Sequence, residues 1–196
     1  MKNFLGALLL LAPSFTFAQG GVHEHDGFFL RLNIGYGYSN TTLEPEGVET
    51  SVSGDCISGG VAVGAVVAPG LALHASFFGP MVSDPTFKDS EGEGEVSGLD
   101  LRWTVMGAGL TYYFNSNVYF SGSLGVAEME IDLKGEGGTT DSGVGGELML
   151  GREWWVSDNW GLGVAGKFFL SRVPDKGGDP VFVTTAGSVV LSATFN

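Results

Sequence analysis

The stretch Phe28-Phe29-Leu30-Arg31-Leu32-Asn33-Ile34-Gly35-Tyr36-Gly37-Tyr38 alternates between two kinds of side chain. Every even-numbered position is large and apolar or aromatic, whereas every odd-numbered position after Phe29 is polar or glycine. Because successive side chains of a β-strand point to opposite faces, this period of two predicts a strand with one apolar and one polar face. About ten such residues are enough to cross a bilayer as a tilted strand.

Seven further segments alternate in the same way, and we predict a strand in each. They cover 57–67, 71–77, 98–114, the residues from 118 onward, 143–156, 160–173 and 181–195. The more apolar face of each strand is taken as the outward one, which directs Leu148, Val164 and Phe168 outward. In the fifth segment the alternation slips between Val126 and Met129, which predicts a β-bulge there.

The connections between these segments alternate in length. Three of them are short, at 68–70, 115–117 and 157–159, and the other four are longer and carry most of the acidic residues. Aromatic residues cluster beside the short turns: Tyr112, Tyr113, Phe114, Tyr119, Phe120, Trp154, Trp155 and Trp160. Short periplasmic turns, long outer loops and an aromatic girdle are typical of outer-membrane barrels. The sequence therefore predicts an all-β fold, an eight-stranded antiparallel transmembrane up-and-down β-barrel.

Residues 1–18 have the pattern of a cleaved secretory signal peptide. Lys2 is the only charged residue among them, and an apolar run covers 4–11. The small residues Thr16 and Ala18 stand at positions −3 and −1 relative to a cleavage site after Ala18. That run is too short to cross a bilayer as a helix. The predicted organisation is a signal peptide at 1–18, a short periplasmic lead-in at 19–26 and an outer-membrane barrel at 27–196.

The composition excludes some classes of function. The chain has 22 acidic against 9 basic side chains, a formal net charge of −13. Such a charge repels the phosphate backbone of nucleic acids, so we expect no nucleic-acid partner. Cys56 is the single cysteine, so no intramolecular disulfide can form.

A resemblance to a known family agrees with this interpretation. Over nearly all of residues 27–196 the chain resembles the OmpA/OmpX/OmpW type of small outer-membrane β-barrel. Two segments are similar to a myxobacterial-type branch of such barrels: His25-Asp26-Gly27-Phe28-Phe29-Leu30-Arg31 and Gly151-Arg152-Glu153-Trp154-Trp155-Val156-Ser157-Asp158-Asn159-Trp160-Gly161-Leu162-Gly163. The resemblance implies a Gram-negative bacterium, location in the cell outer membrane, and a salt-bridged plug inside the barrel.

The barrel interior is the candidate site. Eight strands enclose a space that side chains can just fill. Six charged residues are predicted to point into it: Arg31, Asp100, Arg102, Glu147, Glu153 and Lys167. The inward direction of Asp100 and Arg102 follows from taking Leu101 and Trp103 as outward. Because isolated buried charges are costly, we expect three cations and three anions to be paired or solvated. A proton or ion pathway is the alternative interpretation.

Signals for catalysis and for metal binding are weak. His74 and Ser76 point inward by parity, whereas a lipid hydrolase needs its nucleophile and base on a lipid-accessible face. The histidines and carboxylates of 23–26 and the acidic outer loops have ligand chemistry suited to a metal ion. A flexible lead-in and solvated loops explain these residues better than metal binding does, and the spacing of the acidic residues matches no EF-hand. We therefore predict no enzyme, no metal site and no cofactor.

The function predicted from the sequence is that of an integral outer-membrane protein with a structural or surface-interaction role. The alternative is a transporter or channel for small hydrophobic molecules. A continuous apolar inner lining would favour that alternative, and the inward charges disfavour it. The partners implied are outer-membrane lipid and lipopolysaccharide, together with the barrel assembly machinery and periplasmic chaperones, and we expect a monomer.

The mature protein should begin near Gln19, because the signal peptidase site follows Ala18. N-terminal sequencing of the protein from isolated outer membranes checks this. An intact Met1, or recovery of the protein in the soluble periplasm, would contradict it.

Overall fold

The alternating segments of the sequence form long strands. The computed structural model describes residues 23, 25–44, 50–88, 92–178 and 180–196. Within these residues the eight long strands are β1 (Phe28–Glu44), β2 (Thr50–Ala68), β3 (Leu71–Ser83), β6 (Leu99–Tyr113), β7 (Val118–Leu133), β9 (Gly143–Trp155), β10 (Trp160–Pro174) and β11 (Val181–Phe195). Three short strands are β4 (Thr86–Lys88), β5 (Glu93–Glu95) and β8 (Glu136–Thr139). The predicted signal peptide and most of the predicted lead-in lie outside the described residues.

The eight long strands close into a barrel. Each pairs antiparallel with its neighbours in the order β1-β11-β10-β9-β7-β6-β3-β2, and pairing of β1 with β2 completes the ring. Closure gives every long strand a hydrogen-bonded neighbour on both sides, which a sheet surrounded by lipid requires. The predicted fold class is therefore confirmed. Among the described residues no helix is long and apolar enough to span a membrane.

The two ends of the barrel differ, as the loop lengths predict. At one end the strands are joined by short turns, such as the two residues between Ala68 and Leu71. Gly70 in that turn has φ of 71°, and a Cβ there would lie 2.8 Å from the carbonyl oxygen of Tyr113, so only glycine fits. At the other end β4 and β5 form a hairpin that extends β2, and β8 extends the sheet beside β7.

An apolar belt surrounds the barrel. Large apolar side chains on the outward face are exposed, with Leu124 at 71%, Leu191 at 63% and Ile34 at 62%. Leu148 and Phe168 are also exposed on this face, as predicted. So large an apolar surface is unsuited to water and marks the part of the wall that contacts lipid.

In the part of β6 nearest the long loops, the side chains point in the directions opposite to those predicted. Leu101 and Trp103 are only 6% and 2% exposed and lie inside the barrel. Asp100 and Arg102 are exposed on the outside. The predicted inward direction of these two charged residues is therefore wrong.

The predicted bulge in β7 is also wrong, and the cause is the one that misdirected Asp100 and Arg102: the two faces of the strand exchange polarity beyond the apolar belt. β6 and β7 pair without a register shift along 99–113 and 118–133. Both strands extend beyond the belt towards the long loops, where the outward face meets water. There Glu128 and Glu130 are exposed outside, whereas Ala127 and Met129 are buried inside. The apolar face is thus outward within the lipid and inward above it, with no change in strand parity.

Val164→Arg should destabilise the barrel far more than Ala165→Ser. Val164 is exposed in the belt, whereas Ala165 is buried in the interior one residue away. An arginine on the lipid-facing wall costs from about 0–1 kcal/mol near the interfaces to about 2–4 kcal/mol at the bilayer midplane. At 164 it would also lie directly opposite the like charge of Arg152, its cross-strand partner. Urea unfolding of the protein in phospholipid vesicles measures the difference in free energy, and equal losses would contradict the assigned faces.

Candidate functional site

Arg31 is the centre of a polar cluster in the half of the interior nearest the short turns. Its side chain is 2% exposed, and Nη2 lies 3.4 Å from Oε1 of Glu153. Nη2 also donates to the Tyr113 hydroxyl at 2.6 Å, while Nε donates to Thr194 Oγ1 at 3.2 Å and Nη1 to Thr111 Oγ1 at 3.3 Å. Three strands other than its own, β6, β9 and β11, therefore supply the partners of this guanidinium.

Glu153 is equally well paired. Its Oε2 accepts a hydrogen bond from the Tyr113 hydroxyl at 2.9 Å, and its Oε1 accepts one from Thr194 at 2.6 Å. The ring of Tyr119 lies 4.0 Å from the guanidinium carbon of Arg31 and adds a cation–π contact. Because both charges are removed from water, these hydrogen bonds are needed to offset the cost of desolvation.

A chain of hydroxyl groups joins this cluster to His74. Nδ1 of His74 shares a hydrogen bond with Ser76 at 2.8 Å, and Nε2 shares one with Thr111 at 3.1 Å. Ser76 is 3.1 Å from the Ser123 hydroxyl, and Thr111 is 2.8 Å from that of Ser121. His74 thus lies inside the barrel with Ser76 as its neighbour, where the sequence placed both.

Lys167 and Glu147 form a second buried ion pair. Nζ lies 2.6 Å from Oε2 of the carboxylate, and the two side chains are 0% and 7% exposed. Nζ also donates to Asn33 Oδ1 at 3.3 Å and to the carbonyl oxygen of Gly59 at 3.2 Å. The ammonium therefore has several acceptors and lies 5.6 Å from the ring centroid of Phe78.

The interior towards the long loops is apolar. Eleven buried residues pack there: Cys56, Phe78, Val82, Leu101, Trp103, Val105, Ala127, Met129, Phe169, Val173 and Ala186. Phe78 and Phe169 meet edge to face with ring centroids 6.3 Å apart. These residues form an apolar layer at this end, where a few hydroxyl groups such as those of Thr41 and Thr184 are also buried. In the other half, a second apolar cluster that includes Phe29 and Met149 packs around the paired polar groups.

Of the six charged residues predicted to lie inside, the structure brings four together as two separate pairs. Asp100 and Arg102 belong to the outer surface, where Arg102 lies 3.6 Å from Glu130 and both side chains are more than half exposed. Sequence reasoning missed Tyr113 and Thr194 as partners of Arg31. Thr194 lies at an inward position by the predicted parity of its strand, whereas Tyr113 has the odd numbering that the prediction for β6 took as outward, so parity contained the signal only for Thr194.

His25 lies at the short-turn mouth of the barrel, before β1. Its ring stacks on Tyr113 with centroids 3.4 Å apart and lies 5.0 Å from that of Trp155. Burial lowers the pKa of His25, against the smaller opposing effect of the Glu153 carboxylate. The described residues contain no group of three or more His, Cys, Asp or Glu that is placed to hold a metal ion.

Solved structures that are similar to this barrel include small outer-membrane proteins. The Neisserial surface protein A has a TM-score of 0.58 and 15% identity, with 86% of this chain and 96% of that chain covered. The Ail protein of Yersinia pestis has a TM-score of 0.48 and 14% identity, covering 86% and 99%. OprG of Pseudomonas aeruginosa has a TM-score of 0.48 and 12% identity, covering 89% and 99%. No protein-family model matches the chain, and no curated protein sequence matches it.

The class of the protein follows from these observations. The closed eight-stranded ring, the apolar belt and the likeness to the Neisserial barrel define a membrane-spanning β-barrel of the small outer-membrane type. This agrees with the class and location predicted from the sequence. The resemblance to a myxobacterial-type branch stays a prediction.

Glu153→Ala should destabilise the barrel by about 3–5 kcal/mol, because it leaves the buried Arg31 charge without its anion. Glu130→Ala removes the anion of the exposed Arg102 pair and should cost at most about 1 kcal/mol. Unfolding in urea, followed by tryptophan fluorescence, measures both. Similar losses for the two variants would contradict the different burial of the two pairs.

Proposed function

We propose that the protein is a closed, non-enzymatic barrel with a structural or surface-interaction role in the outer membrane. The filled interior is the observation that supports this most strongly. An ion crossing it would have to displace the Arg31–Glu153 and Lys167–Glu147 pairs and then pass an apolar layer. A bare charge in such a layer is strongly disfavoured. The function then depends on the outside of the barrel.

The end with the long loops is where a surface role would reside. The barrel wall continues above the belt as the upper parts of β6 and β7, extended by the β4–β5 hairpin and β8. Exposed carboxylates face outward on it, among them Glu93, Glu95, Glu128 and Glu130. This acidic, strand-built surface would contact partners outside the cell.

The position of His74 and Ser76 supports a role without catalysis. The pair has the residue types of a base and a nucleophile, and their hydrogen bond of 2.8 Å is suited to that use. Both side chains, however, are less than a tenth exposed and face the filled interior. A lipid substrate moving along the outer wall would not reach them. Their hydrogen bonds to Thr111 and Ser123 are sufficient to explain why polar groups are placed there.

Transport of small hydrophobic molecules is the second candidate, and the apolar layer near the long loops favours it. A hydrophobic molecule could partition among Trp103, Met129 and Phe169 if these side chains moved apart. It would still meet the Lys167–Glu147 pair below. Uptake of a fluorescent hydrophobic probe into vesicles containing the protein distinguishes the two candidates. A closed barrel should give the same uptake rate as vesicles without protein, whereas a transporter should give a higher one.

Wild-type protein in planar bilayers should conduct little, and Glu147→Ala should raise the single-channel conductance. The substitution removes the anion of Lys167 and opens volume that water can enter. Glu130→Ala, outside the barrel, is the matched control and should leave conductance unchanged. Deletion of 89–95 should also leave it nearly unchanged. A wide, stable pore in the wild type, or one opened by the loop deletion alone, would contradict the proposal.

A further inference from the structure

The lipid-facing wall carries an apolar groove that runs across β6, β7, β9 and β10, with Leu73 of β3 and Val183 of β11 at its edges. Its volume is about 880 Å³. The side chains around it include Leu110, Leu124, Leu148, Phe168, Leu170 and Arg172. All six are on the outward face and exposed, so the groove lies within and at the edge of the belt rather than inside the barrel.

The groove exists because small residues interrupt two cross-strand rows. In one row Gly122 stands between Leu110 and Leu148. In the next row Gly146 stands between Leu124 and Leu170. Adjacent rows of a sheet are close enough for side chains to touch, so two missing side chains side by side leave one continuous depression. Leucines and Phe168 form its walls.

A groove at this depth is filled by something apolar, because water is absent from the hydrocarbon region. A flexible lipid acyl chain matches its shape: it is linear, made of methylene groups, and always present next to this wall. Each methylene buried in the groove gains contacts that a flat wall would not give. The groove would therefore hold one chain more firmly than the surrounding surface does.

Arg172 places a positive charge at one end of the groove. It lies two residues beyond Leu170 on β10, is exposed on the same face, and is at the end remote from the short turns. This is the level of the outer lipid head groups. Arg172 also interacts within the chain, but a guanidinium has five N–H donors and can bind a phosphate as well.

We propose that this groove is a binding site for an outer-leaflet lipid whose head group carries a phosphate monoester, the acyl chain lying over Gly122 and Gly146 and the phosphate monoester meeting Arg172. The apolar walls and the basic end are complementary to the two parts of such a molecule. Because the site is on the outer wall, it is independent of whether the interior conducts.

The test is native mass spectrometry of the full-length mature barrel released from bilayers that contain phosphatidic acid and phosphatidylcholine with identical acyl chains. Wild-type protein should retain phosphatidic acid in preference to phosphatidylcholine. Arg172→Gln should reduce that preference by about tenfold, the loss expected for one charge-assisted contact, and Arg172→Lys should restore part of it. Ala108→Leu, which adds a side chain to the groove, should reduce retention of both lipids.

Two matched variants serve as controls. Ala75 is the cross-strand partner of Ala108 on the same outward face but outside the groove, so Ala75→Leu should leave lipid retention unchanged. Arg152 is exposed on the outer wall near the short turns, 5.5 Å from the ring of Trp154, and Arg152→Gln should leave the preference unchanged. Heat-modifiable mobility in gels verifies that each variant is folded.

Some results would overturn the proposal. These are equal retention of the two lipids by the wild type, an Arg152→Gln effect as large as that of Arg172→Gln, and equal effects of the two leucine variants. A dimer mass that Ala108→Leu abolishes would assign the groove to a second copy of the chain instead.

Discussion

The requirement that every backbone amide in lipid be hydrogen-bonded within the protein governs this structure. A β-sheet meets it only when no edge is left, so pairing of β1 with both β2 and β11 is indispensable. Closure with eight strands then sets how much volume lies inside. The polar cluster around Arg31, the Lys167–Glu147 pair and the apolar layer are three ways of filling that fixed volume.

The outer wall contacts a different environment at each level of the membrane. Leu124 meets lipid, Arg172 lies at the level of the head groups, and Glu130 meets water above them. The inner wall changes in the opposite sense, from the polar Arg31 cluster to the apolar residues around Trp103. A single strand such as β6 therefore exchanges the polarity of its two faces along its length without any irregularity in its backbone.

This exchange explains what could be predicted from the sequence. Strand number, turn positions and the outward direction of Leu148 or Phe168 followed from alternation, because within lipid the apolar face must be outward. The directions of Asp100 and Arg102 did not, since alternation alone does not reveal where a strand leaves the membrane. The partners of Arg31 needed the register as well, because parity says which residues are inside but not which of them share a level.

The hydrogen bonds of Arg31 to Thr194 and of Thr194 to Glu153 have a consequence for folding. The first connects the first barrel strand to the last, between residues 163 positions apart, and the second connects the last strand to β9. Contacts so distant in sequence form late, since the loop must close before they contribute. Until β11 arrives, β1 has an open edge, and the Arg31 guanidinium lacks one of its acceptors. A chain still missing its last strand is therefore poorly suited to lipid, and insertion is coupled to completion of the ring.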